Sequence, residues 1–455
     1  MISRFFRWLG RDCKEIGLSF SEGSWATKLS FLIMGFGQLM RGQIVRGLTM
    51  LGLEGGILFY IFDFGWAYLS KLFTLGTVET HKEGRKTVYG DNSFLILLYG
   101  LLTIVIIAAL IYLWRVNIKQ NREAEQRLKL GKRLPTNKED LASLFDKNFD
   151  KTLLALPVLG IFVFTVLPII FMVCVAFTNY DATHQPPIKL FSWVGLENFK
   201  ALFGIGGGEG FGSTFWYVLA WTLVWSFFAT FLTYFLGMAV AIMINKKGIK
   251  LKKLWRTILV MTIAVPQFVS LLYVGKMFAS DGLVNGLLLK WGWIQQAIPF
   301  WDKPMSARIL IIVINLWIGI PYTMLIVTGL LMNIPAELYE SARIDGANIF
   351  QTFRKITLPY MLFVTGPFLL TQFIGNLNNF NVIFLLNRGG PQSMNLSNNA
   401  GSTDLLVTWL YKMTITDSNY KIAAVIGIMV FLVTAVISLI VYNTMPSVKD
   451  EEGFQ

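Results

Sequence analysis

Charge is scarce in this chain of 455 residues: Asp, Glu, Lys and Arg together make up 15%, against about 25% in an ordinary soluble domain. Histidine and cysteine are scarcer, with two of each. His81 and His184 fall between apolar runs, and Cys13 and Cys174 suggest neither a disulfide nor a metal site. HExxH, Walker A, GxSxG and CxxC patterns are absent, so no constellation for bond-breaking chemistry is visible. The stretch Gly204 to Gly212 is glycine-rich but has no lysine at Walker spacing, and it reads as a flexible loop. The opening MISRFFRWLGRDCKEIG has charge without an apolar core, so no cleaved signal peptide is expected.

Apolar residues, by contrast, make up 54% of the chain. A span needs about 20 mostly apolar residues. Eight stretches qualify: 48–70, 94–114, 152–178, 214–244, 257–279, 306–332, 361–386 and 421–443. Lipid offers backbone polar groups no partners, which leaves helices as the economical solution. The expected fold is therefore an all-α integral membrane protein, a polytopic bundle of about eight transmembrane helices. Pro157 and Pro168 are expected to kink the third span or mark its ends, and Pro266 and Pro321 to interrupt the fifth and sixth. Such interruptions suit a moving pathway and ordinary packing alike.

The net charge of +13 is unevenly placed. Segment 1–47 holds Arg4, Arg7, Arg11, Lys14, Lys28, Arg41 and Arg46 against Asp12, Glu15 and Glu22, and 245–256 holds five lysines and Arg256 with no acid. The positive-inside rule then puts both termini in the cytosol. Residues 24–47 suit either a helix lying in the cytosolic interface or a short re-entrant hairpin. Gly52 and Gly56 form a small-xxx-small pair, and Glu54 and Asp63 fall within the first span, near its ends or paired with a basic neighbour. Segment 115–151 is mixed in charge, partly helical around Arg122 to Leu130, and reads as a solvated cytosolic linker. Acids interleave with its bases and stacking aromatics are missing, so no nucleic-acid partner is expected.

One polar interruption stands apart from the other loops. Pro335 to Pro359, PAELYESARIDGANIFQTFRKITLP, reads as two short helices. Asn333 and Pro335 open the first, Gly346 supplies the positive φ between them, and Pro359 separates them from the next span. Leu338, Tyr339 and Ala342 share one face, as do Ile349, Phe350 and Phe353, with Glu337, Glu340, Arg343, Asp345, Arg354 and Lys355 around them. Such a ridge suits a groove on a partner, or the flank of its own bundle. Glu340-Ser341-Ala342, Gly346 and Ile356-x-Leu358-Pro359 reproduce, with serine in place of one alanine, the EAA signature of ABC-importer permeases. From Leu153 to Tyr442 the chain resembles the larger permease of the maltose and maltodextrin importers. That resemblance implies that the loop couples to a cytosolic ATPase through Glu340.

The seventh span carries Gln372, Asn376, Asn378, Asn379 and Asn381. Gln372, Asn376 and Asn379 follow i, i+4, i+7 and are expected on one face. An amide donates and accepts, as a sugar hydroxyl does, and remains neutral in a bilayer. Amides of this kind also serve as interhelical glue. The resemblance carries two sugar-contacting asparagines over to Asn376 and Asn379, with Gln372 and Gly375 at neighbouring lining positions whose side chains depart from the maltose pattern. It matches Ile318, Gly319 and Tyr322 to a lining segment of the sixth span. The Tyr322 ring can pack on a sugar's apolar face, though a lone tyrosine is more often structural or interfacial, and Phe380 reads as stacking on sugar or facing lipid.

The resemblance further implies a second permease, a dimeric cytosolic ATPase that hydrolyses the ATP, an extracellular binding protein and an oligosaccharide cargo, in a bacterial cell membrane. No cofactor is expected on this chain. The expected organisation is 1–47 as an interfacial segment, 48–114 as two spans, 115–151 as linker, and 152–443 as a six-span core. Within that core 333–360 is the coupling loop, and 444–455 is a cytosolic tail. Only about 35 residues separate the third and fourth spans, too few for the extracytoplasmic domain inserted there in some relatives. An intramembrane glycosyl-transfer enzyme would need acidic or histidine groups at a membrane boundary, for which Glu54 and Asp63 are poor support. An ion-coupled carrier would need paired repeats and buried ionisable groups in the core.

Overall fold

The computed structural model describes residues 14–205, 211–246 and 248–445. Arg4, Arg7, Arg11, Asp12, Cys13, the middle of the Gly204 to Gly212 run and the tail from 446 onward lie outside the described residues. Among the described residues seven helices are long and apolar enough to cross a membrane: Ile44–Leu69, Ser93–Lys129, Phe149–Val175, Phe211–Asn245, Pro304–Leu331, Ile349–Asn387 and Tyr420–Thr444. A bent pair, Lys252–Ala264 with Gln267–Met277, makes a further candidate span, folded through 92°. The break falls at Pro266, where Val265 is extended at ψ 127°, the conformation a following proline imposes. Pro321, expected to interrupt its span in the same way, sits inside an unbroken helix.

That bent pair crosses the membrane, and the packing of its neighbours decides it. A Cβ added to Gly319 would press on Thr233, and one added to Gly237 would press on Thr323. Asn245 donates to the Thr328 hydroxyl at 3.2 Å. Contacts that rise together in number along both chains mean that the fourth and sixth spans run parallel, so the segment between them must pass from one face to the other. The eight expected spans follow. The interlocked Gly and Thr positions are a small-xxx-small contact on both helices.

The chain divides into two compact units, the first ending at Val194 and the second starting at Gly195. The first holds three spans, so the helix Phe149–Val175 groups with it and not with the expected core from 152. Its amino-terminal segment folds as a hairpin of two short helices, Trp25–Leu29 and Phe36–Met40. The hairpin tip reaches deep: Met34 N–H donates to Glu54 at 2.7 Å and Trp114 Nε1 donates to the Phe31 carbonyl at 2.8 Å. Glu54 lies ten residues into its helix, about 15 Å along the axis. The re-entrant alternative therefore describes 24–47 better than a flat interfacial helix. Glu54 caps that hairpin and forms no ion pair among the described residues.

Segment 115–151 departs from the solvated linker. The second span continues as one helix to Lys129 and buries Asn117, Ile118, Asn121 and Ala124. Polar side chains at those positions suggested solvent, but they face the hairpin's backbone and amides. Arg41 pairs with Glu125 at 2.9 Å. Past this helix, Asn137–Phe145 carries Asp140, which is 6% exposed and pairs with Arg46 at 2.8 Å. At the other end of the unit, a two-stranded hairpin pairs His81–Glu83 with Lys86–Val88. Beneath it Asp91 accepts from Lys71 and from the Thr77 and Val78 N–H groups. Burial opposes charge on Asp91, but those hydrogen bonds outweigh it and hold the carboxyl below its ordinary range.

In the second unit two apolar clusters succeed one another along the spans. One gathers Trp225, Ala229, Ile311, Val382 and Ile383, and the other gathers Tyr234, Met238, Met324, Met361 and Leu369.

Candidate substrate path and coupling loop

Between these clusters both the fourth and the seventh span lose helical regularity. The fourth makes a π turn over Phe228–Leu232, and the seventh breaks after Leu377 and resumes at Phe380. Gln372, Asn376 and Asn379 therefore do not form one continuous helical face, because the helix that would align them ends first. The break brings two of them together by another route. Asn379 caps the second piece by accepting from Val382 N–H at 3.2 Å. Its amide donates to Asn376 Oδ1 at 3.3 Å, and Asn376 in turn donates to Thr230 Oγ1 at 2.9 Å inside the facing π turn. Trp225 Nε1 holds the Asn376 carbonyl at 3.1 Å.

An amide has two N–H groups and a carbonyl that accepts twice. Asn376 and Asn379 each use one side-chain N–H and one side-chain acceptor site, which leaves half of each amide's capacity unused by these bonds. Gln372 is half-buried and makes no hydrogen bond among the described residues. Gly375 is exposed, and a Cβ there would meet nothing within 4 Å. One helical turn beyond Thr230, Thr233 is 6% exposed with its hydroxyl unpaired. Gly319 packs on Thr233, so it is a point of helix contact and lines no open space. Tyr322 is 50% exposed and Ile318 leans on the first apolar cluster. Phe380 stacks on Phe384 at 4.7 Å and meets the edge of Tyr411 at 4.9 Å, an aromatic set the sequence did not suggest. Thr230 and Thr233 also went unnoticed in sequence, since a threonine in an apolar helix ordinarily bonds its own backbone.

The loop after the sixth span forms two helical pieces, Ala336–Ile344 and Ile349–Thr352. Gly346 adopts φ 74° between them. Its N–H bonds the Arg343 carbonyl at 3.1 Å and Ala347 N–H bonds Ala342 at 2.9 Å, a Schellman stop. Asn348 and Gln351 cap the second piece reciprocally. Pro359 does not end this element. The helix runs from Ile349 through a π turn, Phe353–Thr357, into Leu358–Leu377, and the wider turn accommodates the proline's missing N–H. Tyr339 ties the first piece to Thr357 through a 3.0 Å hydroxyl contact.

Tyr339, Ala342, Phe353, Ile356 and Leu358 turn at least partly inward, whereas Ile344, Ile349 and Phe350 stand 87%, 84% and 68% exposed around the Gly346 turn. Ile344 replaces the first-helix face expected from Leu338, Tyr339 and Ala342 at the tip. Glu340, Ser341, Arg343 and Asp345 are exposed beside it, with no ion pair among the described residues. The loop presents an apolar ridge rimmed by charge.

Membrane-crossing helices, a polar break at mid-span and a protruding helical loop define a multi-pass permease with no metal-binding group among the described residues. Residues 233–450 match the family described as binding-protein-dependent transport system inner membrane component. The maltodextrin transport system permease protein MdxF of Bacillus subtilis is 35% identical over 433 residues, covering 92% of this chain and 95% of that one. The galactooligosaccharides transport system permease protein GanP of the same organism is 36% identical over 423 residues, covering 92% and 97%. A solved bacterial ABC transporter involved in import of the acidic polysaccharide alginate aligns at TM-score 0.55 and 24% identity, over 68% of this chain and 99% of that chain, and shows the shared fold. The chain belongs to the binding-protein-dependent transport permeases, of the maltose and maltodextrin type.

Proposed function

We propose that the chain is one of two membrane subunits of a bacterial ABC importer for neutral oligosaccharides, with maltodextrins as the preferred cargo. The observation that carries this reading is the break at Asn376 to Asn379. It combines uncharged hydrogen-bonding groups, spare capacity and a mid-span position, and no carboxylate lies on the seventh span. Sugar hydroxyls match such groups, whereas an ion path more often uses carboxylates or carbonyl rings. Gln372, Gly375, Tyr322 and Ile318 complete the lining in this reading, with Thr230 and Thr233 on the facing span.

The ridge at Ile344, Ile349 and Phe350 seats in a groove of a cytosolic ATPase, with Glu340 meeting a basic group there. With eight spans both termini share one side, and the lysine-rich segment 245–256 supports the cytosol as that side. A binding protein delivers sugar outside, and ATP-driven closure of the ATPases moves the loop. The break then changes the side it faces, because nucleotide and sugar each bind one conformation better than the other. Energy comes from the partner ATPase, and this chain contributes no cofactor.

The test is uptake of labelled maltotriose and of a galactotriose by vesicles holding this chain, a sister permease, the ATPase and the binding protein, with ATP on the ATPase side. Maltotriose accumulation that disappears without this chain is the expected result. Accumulation of the galactose oligosaccharide alone would move the cargo, and no accumulation of any sugar by a verified assembly would overturn the reading.

A further inference from the structure

The segment joining the fifth and sixth spans, 278–303, lies on the face opposite the coupling loop, since the sixth span separates them. It contains a short helix, Leu283–Lys290. One side of that helix is pinned inward. Asn285 is 1% exposed, accepts from Ile298 N–H at 2.8 Å and donates to the Ala279 and Ile298 carbonyls at 3.2 and 3.0 Å. Trp301 Nε1 anchors the end of the segment on the Gly275 carbonyl at 3.0 Å.

The outward side is apolar. Leu283, Leu287, Trp291 and Trp293 are 58%, 36%, 57% and 73% exposed, and the positively charged Lys290 stands among them. Both ends of the segment are tethered to spans whose own adjoining side chains, Tyr273 and Met277 on one and Met305 and Ile309 on the other, are exposed apolar groups of the kind lipid covers. The outward side of the short helix continues that surface.

We propose that Leu283–Lys290 and the following Trp291 and Trp293 lie in the membrane interface as a surface anchor, with the leucines among acyl chains and Lys290 at the phosphates. Leucine and tryptophan on one face with lysine beside them is the composition of an interfacial helix, and indoles favour the headgroup level. A sugar-stacking platform fits less well. The two indole planes are tilted by 54° at 5.3 Å, so they offer no common flat surface, and the leucines beside them bond no hydroxyl. The anchor fixes the outer half of the bent fifth span relative to the bilayer, so that bending at Pro266 moves its other half.

The test places single nitroxide labels at Leu287→Cys and Trp293→Cys in a chain carrying Cys13→Ser and Cys174→Ser, assembled with its sister permease and ATPase in liposomes. Collision with oxygen, which partitions into lipid, is compared with collision with a water-soluble nickel chelate, using Met394→Cys, whose methionine is fully exposed, as the aqueous reference. The expected oxygen-to-nickel ratio is several-fold higher at 287 and 293 than at 394. Nickel accessibility equal to that at 394 would overturn the anchor in favour of a water-facing loop. Shielding from both reagents would overturn it in favour of a protein interface, and shielding that develops only on adding maltotriose would make the tryptophans a sugar contact.

Discussion

The two units each hold a cluster of amides between their helices, and the clusters differ in one respect: one is fully buried and so closed, and the other is part-exposed and so open. In the first unit Asn117 Oδ1 accepts from Gly35 N–H, Gln38 Nε2 and Asn121 Nδ2 while its own amide donates to the Ser30 carbonyl. Asn121 joins Gln38 and Arg41, and Arg41 reaches Thr27 and Glu125. Asn117, Asn121 and Gln38 are fully buried. In the second unit Asn376 and Asn379 use half of their capacity and Gln372 uses none. A fully buried network holds one arrangement of its helices, while a part-exposed one at a helix break can exchange partners with a passing ligand.

The largest effect is expected where the closed network holds charge. Glu125→Ala leaves the Arg41 guanidinium, whose side chain is 9% exposed, without its counter-ion in low dielectric. A cost of about 3–5 kcal/mol follows, read as a lowered unfolding midpoint in detergent. Asn117→Leu strands several donors at once and should cost about 1–3 kcal/mol; unchanged stability there would erase the distinction between the clusters. Next comes a pair of glycines. Gly319→Ala drives a methyl into Thr233 and should destabilise by about 1–3 kcal/mol, whereas Gly375→Ala meets open space and should leave the unfolding midpoint unmoved. Smallest in stability is Gln372→Leu, with no protein hydrogen bond to lose; its expected signature is weaker uptake from an equally stable assembly.

Much of this was legible in the sequence because long apolar runs and a fixed motif spacing report directly on local structure. The eight spans, the Gly346 turn and the polar character of the seventh span belong to that class. The rest depended on contacts between distant segments. Asn117, Asn121 and Glu125 read as a solvated stretch because their partners lie some 80 to 100 residues earlier in the chain. The i, i+4, i+7 spacing of Gln372, Asn376 and Asn379 was sound only for an unbroken helix, and Asn379 caps a new helix instead. Two of the three prolines misled, both towards a break that does not occur. Pro266 breaks its span, while Pro321 and Pro359 are absorbed, one in a helix packed along its parallel neighbour and the other behind a π turn.

The open cluster is the centre of the account, and Asn376→Leu addresses it most directly when sugar uptake and ATP hydrolysis are followed in the same vesicles. Losing its bond to Thr230 should cost about 1 kcal/mol, leaving the subunit assembled with its ATPase. The expected result is loss of maltotriose uptake with basal ATP hydrolysis retained. Uptake at the level of the unsubstituted chain would contradict the account and make Asn376 a packing residue.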